Sequence, residues 1–497
     1  MSTNISRRKV VAGAAWAAPV VAASAAVPAF ASSTECAYAS APKFNISGQP
    51  SGAKDTVKFT VPAKVDKIRF EVAGGAGGGS SQVAGGSGAL VTGEMPVKEG
   101  QVVELVAAAG GVAYLISEPG VDSKAIWQTR PATGGKGYGN GGDVNEQPVP
   151  ADAKARVDAI WSKPSDMKRY LYGGSGGGSS ALVIDGTPVA VAGGGGGGGA
   201  GIRTQPGTNN MPDMTEMKID GVKKVVPNPY YNEKAVDAST TALGDTAVKS
   251  VLPAGADASA AVGGDAETSV SHYTVLKPFT TPGTAMQVAG GKGGGNGQGG
   301  AGGEQPKLYD LANVYGVLGF KSQNKQELFS SSTAGDKGGS GFDGKGADGV
   351  FAYSYQIDNN DISKLEEVPV TNQKAIDAGV AKGNETGGLQ EDATRKSFNG
   401  YQTVVSAGGG AGYGGGGSGA ARGLSSIITS QKWNANTRDT RYRQNVGALL
   451  QAGAGGAGGS YVAPGVANGA IASANNAAKE SGVRNPGYVK VTLCERS

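Results

Sequence analysis

Ile68-Arg69-Phe70-Glu71-Val72-Ala73-Gly74-Gly75-Ala76-Gly77-Gly78-Gly79 joins two kinds of chain without a break. The first half alternates apolar and polar side chains, so Ile68, Phe70 and Val72 share one face, as a strand covering a core requires. The second half carries almost no side chains. Upstream, Val57-Lys58-Phe59-Thr60-Val61 alternates in the same way, with Phe59 and Val61 on one face and Pro62-Ala63 as the turn. The fold depends on what such a strand does when it runs into glycine.

The same unit returns along the chain. Val189-Ala190-Val191-Ala192 enters Gly193 to Gly199, and Met286-Gln287-Val288-Ala289 enters Gly290-Gly291. Val404-Val405-Ser406-Ala407 enters Gly408 to Gly417, and Leu449-Leu450-Gln451-Ala452-Gly453 is a weaker copy. The irregular spacing excludes a solenoid of fixed period and implies one core with long excursions between returns. Further strands are expected at Ala89 to Thr92, Val102 to Val106 and Tyr488 to Leu493. A hairpin is expected from Leu182 to Val191 around Asp185-Gly186, the favoured two-residue turn, with Pro188 pushing its second strand toward an edge or bulge. Irregular polar insertions are expected at about 112–172, 203–284, 304–400 and 424–448, with short helices such as Ala151 to Trp161.

Glycine makes up 87 of 497 residues, more than twice the usual ~7%. Flexible linkers have this composition, but linkers lack regular strands between the tracts. A glycine tract can instead form the left-handed polyproline-type helix, with three residues per turn, ~3.1 Å rise and no internal hydrogen bonds. Several such helices side by side bond to one another through N–H and C=O groups. One alone loses too much entropy to persist.

The stretch from Val61-Pro62-Ala63 through Gly79 resembles the opening of the glycine-rich domain of the anaplastic lymphoma kinase and leukocyte tyrosine kinase receptors, and of many secreted bacterial glycine-rich proteins. Gly85 to Ala89, Val189 to Gly199, Tyr413 to Gly417 and Gly487-Tyr488-Val489-Lys490-Val491 continue the pattern in order. The resemblance implies a mainly β fold, a jelly-roll-like (TNF-like) β-sandwich with a bundle of polyglycine II helices; the long irregular insertions match nothing in it. The receptor domains bind protein ligands, but no motif here carries those contacts over. Polyglycine bundles also occur in some phage tail adhesins, an analogy of fold alone.

The chain reads as exported. Ser6-Arg7-Arg8-Lys9-Val10-Val11 resembles the twin-arginine consensus, with Val10 where Phe or Leu is usual. Residues 10–27 are apolar and Ala-rich, and Ala29-Phe30-Ala31 supplies the small-x-small cleavage pattern. Residues 1–31 are therefore expected to be a cleaved twin-arginine signal peptide, 32–56 an N-terminal extension holding Cys36, and 57–497 a single glycine-rich domain. Cleavage takes three basic residues and no acid from a formal net charge of +4, leaving no long-range pull on nucleic acid. No later stretch has the length and apolarity of a membrane span. Cys36 and Cys494 are the only cysteines, and two lone cysteines in an exported chain usually pair.

Catalytic signatures are sparse. His272 is the only histidine, which leaves little material for zinc sites or nucleophile pairs. Gly173-Gly174-Ser175-Gly176-Gly177 has the letters of a nucleophile elbow without the helix that should follow. Gly338-Gly339-Ser340-Gly341-Phe342-Asp343 starts like a calcium-binding nonapeptide, but Lys345 takes the next apolar position and no second repeat follows. Trp127, Trp161, Tyr170, Tyr172, Tyr230, Tyr231 and Trp433 fall in the insertions, as small satellite cores or as binding aromatics. The expectation is a non-catalytic surface or matrix binding protein, adhesin-like, without a cofactor. Its partner would be a surface glycan or protein, with self-association possible. The alternatives are an ice-binding polyglycine protein and a secreted carbohydrate-active enzyme with two paired carboxylates.

Overall fold

The computed structural model describes residues 36–79, 83–117, 126–128, 131–151, 169–201, 214–219, 222–227, 238–243, 246–251, 253–275, 283–306, 317–318, 331–356, 400–434 and 439–496. These residues are mainly β, and no helix element occurs among them. The segment expected to be helical after Ala151 lies outside them.

Val65–Ala73 is the centre of the first sheet because its alternation leaves one wholly apolar face. Ile68, Phe70 and Val72 are buried at 0%, 1% and 0% exposure, and cutting Phe70 back to alanine would cost about 3–5 kcal/mol. Tyr488–Glu495 pairs antiparallel on one side of it and Ala89–Pro96 on the other. Ala467–Ser473 extends the sheet beyond Ala89–Pro96. Ala37–Tyr38 and Phe44–Ser47 pair with the far edge of Tyr488–Glu495. A second sheet runs in the order Tyr461–Val462, Thr187–Ala192, Ser180–Ile184, Val102–Ala107, Asp55–Thr60. One hydrophobic cluster takes Phe70, Val72, Val91 and Val491 from the first sheet and Val103, Leu105, Leu182 and Ala190 from the second. At one side Phe44 stacks on Phe59 at 4.1 Å, joining the two sheet margins.

The Asp185-Gly186 turn forms as expected, with φ of 48° and 77°. Pro188 lies in the half of Thr187–Ala192 that has a single partner strand, since Tyr461–Val462 reaches only Ala190 and Val191.

The expectation of irregular insertions needs correcting. Met214–Ile219 and Val222–Pro227 form a hairpin, and Ala238–Leu243, Thr246–Val251, Ser269–Val275 and Gly283–Val288 form a four-stranded sheet. Ala421–Asn434 and Asp439–Ala452 form a long hairpin. Strand-favouring β-branched and aromatic residues account for this, such as Val270, Tyr273, Thr274 and Val275 in Ser269–Val275.

The glycine tracts lie side by side. Gly193 to Gly199 continue from Thr187–Ala192, and their N–H groups donate in a cycle of three. Gly194 and Gly197 donate to the carbonyls of Ala411 and Gly408, at 2.7 and 2.9 Å. Gly195 and Gly198 donate to Gly75 and Gly78, both at 3.0 Å, and Gly196 and Gly199 to Ala256 and Pro253, at 3.0 and 3.2 Å. The carbonyls follow the same cycle. Gly193 and Gly196 accept from Ala89 and Gly86, Gly194 and Gly197 from Gly458 and Gly455, and Gly195 and Gly198 from Gly177 and Gly174. The tract thus lies among six others drawn from the whole chain. A Cβ on Gly194 or Gly196 would run into the carbonyl of Gly177 or Gly455, so only glycine allows this approach. Segments at 134–142, 255–266 and 335–349, inside ranges read as insertions, also join the array through backbone bonds.

Serine closes the array where a carbonyl is lacking. The buried hydroxyls of Ser175, Ser180, Ser406 and Ser460 accept from the N–H groups of Val112, Ala108, Val350 and Gly193, at 2.9, 2.9, 2.9 and 3.0 Å. Asn476 does the same at an outer edge. Its oxygen accepts from Gly88 N–H at 2.9 Å and its amide donates to the Gly74 carbonyl at 3.0 Å.

Candidate binding surface

Where the tracts meet the second sheet, the chain reverses at several glycines. Asn296 and Gly297, at φ 53° and 71°, turn one tract back, and Gly341 and Gly414, at φ 98° and 83°, turn two others. These turns are tied together. Gly341 N–H donates to the Gly297 carbonyl at 3.0 Å, and Gly414 N–H to the Gly341 carbonyl at 2.9 Å.

The side chains beside these turns are aromatic. Phe342 stacks on Tyr413 with ring centroids 4.6 Å apart, and Tyr461 meets Phe342 edge-on at 4.9 Å and Tyr413 at 5.1 Å. Phe342 and Tyr461, with Tyr138, rest on Ala181, Val183 and Val191, which face outward from the second sheet. All four aromatic residues remain part-exposed. A Cβ on Gly297 would lie 3.0 Å from the Tyr413 ring, so glycine there keeps the ring in place. Val262, 51% exposed, is bridged to Gly295 beside them.

Polar residues rim the rings. Asn140, Asn296, Gln298 and Asp343 are exposed. Burial, then the charges of Asp343 and Glu104, push the Tyr138 phenol above its ordinary range. Nearby cations are engaged: Lys345 pairs with Asp348 at 2.7 Å and Lys136 with Asp143 at 3.9 Å. The rim therefore offers amides and a carboxylate around apolar rings, an arrangement suited to a ligand with an apolar face and hydroxyl edges.

The residues singled out from sequence are placed as follows. Cys36 and Cys494 form a disulfide with Cα atoms 5.2 Å apart. Arg7, Arg8, Ala29 and Ala31 lie outside the described residues. His272 is in Ser269–Val275, opposite Lys249 and Thr284 on neighbouring strands. Ser175 is fully buried, and its hydroxyl donates to the Thr133 carbonyl at 2.9 Å. A glycine tract follows it, where a nucleophile elbow needs a helix. Gly338 to Asp343 joins the tract array and carries Phe342 into the aromatic group. Among the described residues, no group of three or more His, Cys, Asp or Glu is placed to hold a metal ion. No helix long and apolar enough to cross a membrane occurs among the described residues.

Of the aromatics named from the insertions, Tyr172 is buried in a small cluster with Val112, Ala132, Val144 and Val405. Trp161, Tyr230 and Tyr231, and the side chains of Trp127, Tyr170 and Trp433, lie outside the described residues. Sequence reasoning did not read Tyr138, Phe342, Tyr413 or Tyr461 as binding aromatics. The available signal was local: Gly341-Phe342 and Gly412-Tyr413-Gly414 each set one ring at a glycine turn.

No protein-family model matches the chain, and neither does any curated protein.

Proposed function

We propose that the chain is an exported, non-catalytic binding protein of a cell surface or matrix. Its architecture is a jelly-roll-like, TNF-like β-sandwich carrying a bundle of polyglycine II helices. Two sheets contributing to one hydrophobic cluster support the sandwich. The three-residue cycle of partners around Gly193 to Gly199, none of which has a positive φ, supports left-handed polyglycine helices. The Cys36–Cys494 bond fits an oxidising compartment, as does the twin-arginine signal read from the sequence.

The observation that carries the binding role is the part-exposed group Phe342, Tyr413 and Tyr461 on a frame of hydrogen-bonded glycine turns. Such a frame presents rings without ordering cost on binding. The test is cosedimentation of the purified mature protein with intact bacterial cells, their isolated walls and matrix proteins. Saturable binding to at least one is expected, and no binding to any of them rejects the reading.

A further inference from the structure

We infer that the surface formed by Phe342, Tyr413 and Tyr461 is a saccharide-binding site for a neutral glycan, a proposal that rests on the binding role above. Sugar rings have an apolar C–H face and hydroxyls around the edge, so a site for them needs exposed aromatic rings within a hydrogen-bonding rim.

The rings here are framed by glycine. Gly297 adjoins the Tyr413 ring, Gly341 and Gly414 flank Phe342 and Tyr413 in sequence, and Gly459 packs against the Tyr413 backbone. No side chain at these positions rises above the rings. The frame is fixed by bonds between turns, such as Gly414 N–H to Gly341 carbonyl, so the rings are held before any ligand arrives.

The rim selects the ligand. The side chains of Asn296, Gln298 and Asp343 make no hydrogen bond to the described residues, while the lysines beside them are paired with Asp348 and Asp143. Amides and a carboxylate serve hydroxyl donors and acceptors. With its nearby lysines paired, the rim disfavours phosphate, sulfate and anionic lipid. The apolar part is also small, a few rings and Val262, whereas a stable protein interface buries about 800 Å² per partner around an apolar centre.

The test is isothermal titration of the mature, disulfide-bonded protein with cellohexaose and chitohexaose, with oligogalacturonate as an anionic control. Binding to at least one neutral hexasaccharide is expected, with none to the control. Phe342→Ala should weaken it at least tenfold. Gln298→Ala combined with Asp343→Ala, at exposed positions that leave the frame intact, should weaken it about three- to tenfold, which keeps the test open if Phe342→Ala fails to fold. Unchanged affinity in the folded variants overturns the assignment to this surface. A protein that binds neither hexasaccharide yet cosediments with cells, walls or a matrix protein overturns the saccharide class and leaves the binding role standing. Binding to nothing at all removes both.

Discussion

Cys36 and Cys494 are bonded across a sequence separation of 458 residues, and Cys494 is 1% exposed. The bond fastens a short strand, Ala37–Tyr38, onto Tyr488–Glu495. Replacing both cysteines by serine should lower stability by about 2–5 kcal/mol and leave the fold in place, since Phe44–Ser47 still pairs with the same strand. Thermal unfolding with and without reductant is the check. Reductant should lower the midpoint of the native protein and leave that of the double variant unmoved.

Gly196 tests the array itself. Its added Cβ would run into the Gly455 carbonyl, and that residue is held by bonds to Gly197 and Ala256, so it cannot move alone. Gly196→Ala should cost about 3 kcal/mol or prevent folding. Ala457→Gly, the reverse change at a buried site in the adjoining tract, should cost about 1 kcal/mol. Equal urea midpoints for the two variants would contradict a close-packed array.

Glu94 gives an acid-sensitive contribution. Arg69 donates to it from Nε and Nη2 at 2.9 and 2.8 Å, and this hydrogen bonding holds its carboxyl below the ordinary range. Because the folded value is depressed, the contribution is complete above the unfolded value and disappears as pH falls through the folded one. Glu94→Gln should cost about 0.2–1 kcal/mol at pH 7, and the difference should vanish near pH 2 in chemical denaturation. At the other end of the scale, burial and then Glu94 push the Tyr38 phenol up to about 12, so its contribution is lost as pH rises from the ordinary tyrosine range through that value.

Ser175 should behave as a structural acceptor. Ser175→Ala leaves the buried Val112 N–H without its hydroxyl partner, at a cost of about 1–3 kcal/mol. A drop of that size in denaturation, with no hydrolytic activity to lose toward ester substrates, is the expected result.

The proposed twin-arginine export makes Arg7 and Arg8 the residues to change. Changing both to lysine should leave precursor inside the cell, read by fractionation and immunoblotting. Mature protein outside at the native level would contradict the twin-arginine route.

The strands were legible in the sequence because sheet burial writes a period of two: Ile68, Phe70 and Val72 stand out against Arg69 and Glu71. The inner tracts were legible because six neighbours forbid side chains altogether. The outer tracts were not. A tract at the margin of the array turns one edge to water, so every third position accepts a side chain, polar ones included. Exposed Ala254, Asp257 and Ala260 follow this spacing, as do Ala334, Lys337 and Ser340. Such stretches read as polar loops unless a period of three is sought. The aromatic surface was hidden for another reason: Tyr138, Phe342, Tyr413 and Tyr461 come from distant segments, and nothing local marks four single rings as neighbours.

The six-neighbour setting of Gly193 to Gly199 also sets an order of events during synthesis. These glycines leave the ribosome before Pro253, Ala256, Gly408 and Ala411, which will accept from their N–H groups, and before Gly455 and Gly458, which will donate to their carbonyls. Until then only water can satisfy the groups that pair with those later residues. The set of partners around Gly193 to Gly199 is therefore complete only once Gly458 has been made. Nascent chains halted before residue 458 are therefore expected to be cut by protease more readily than chains released at full length.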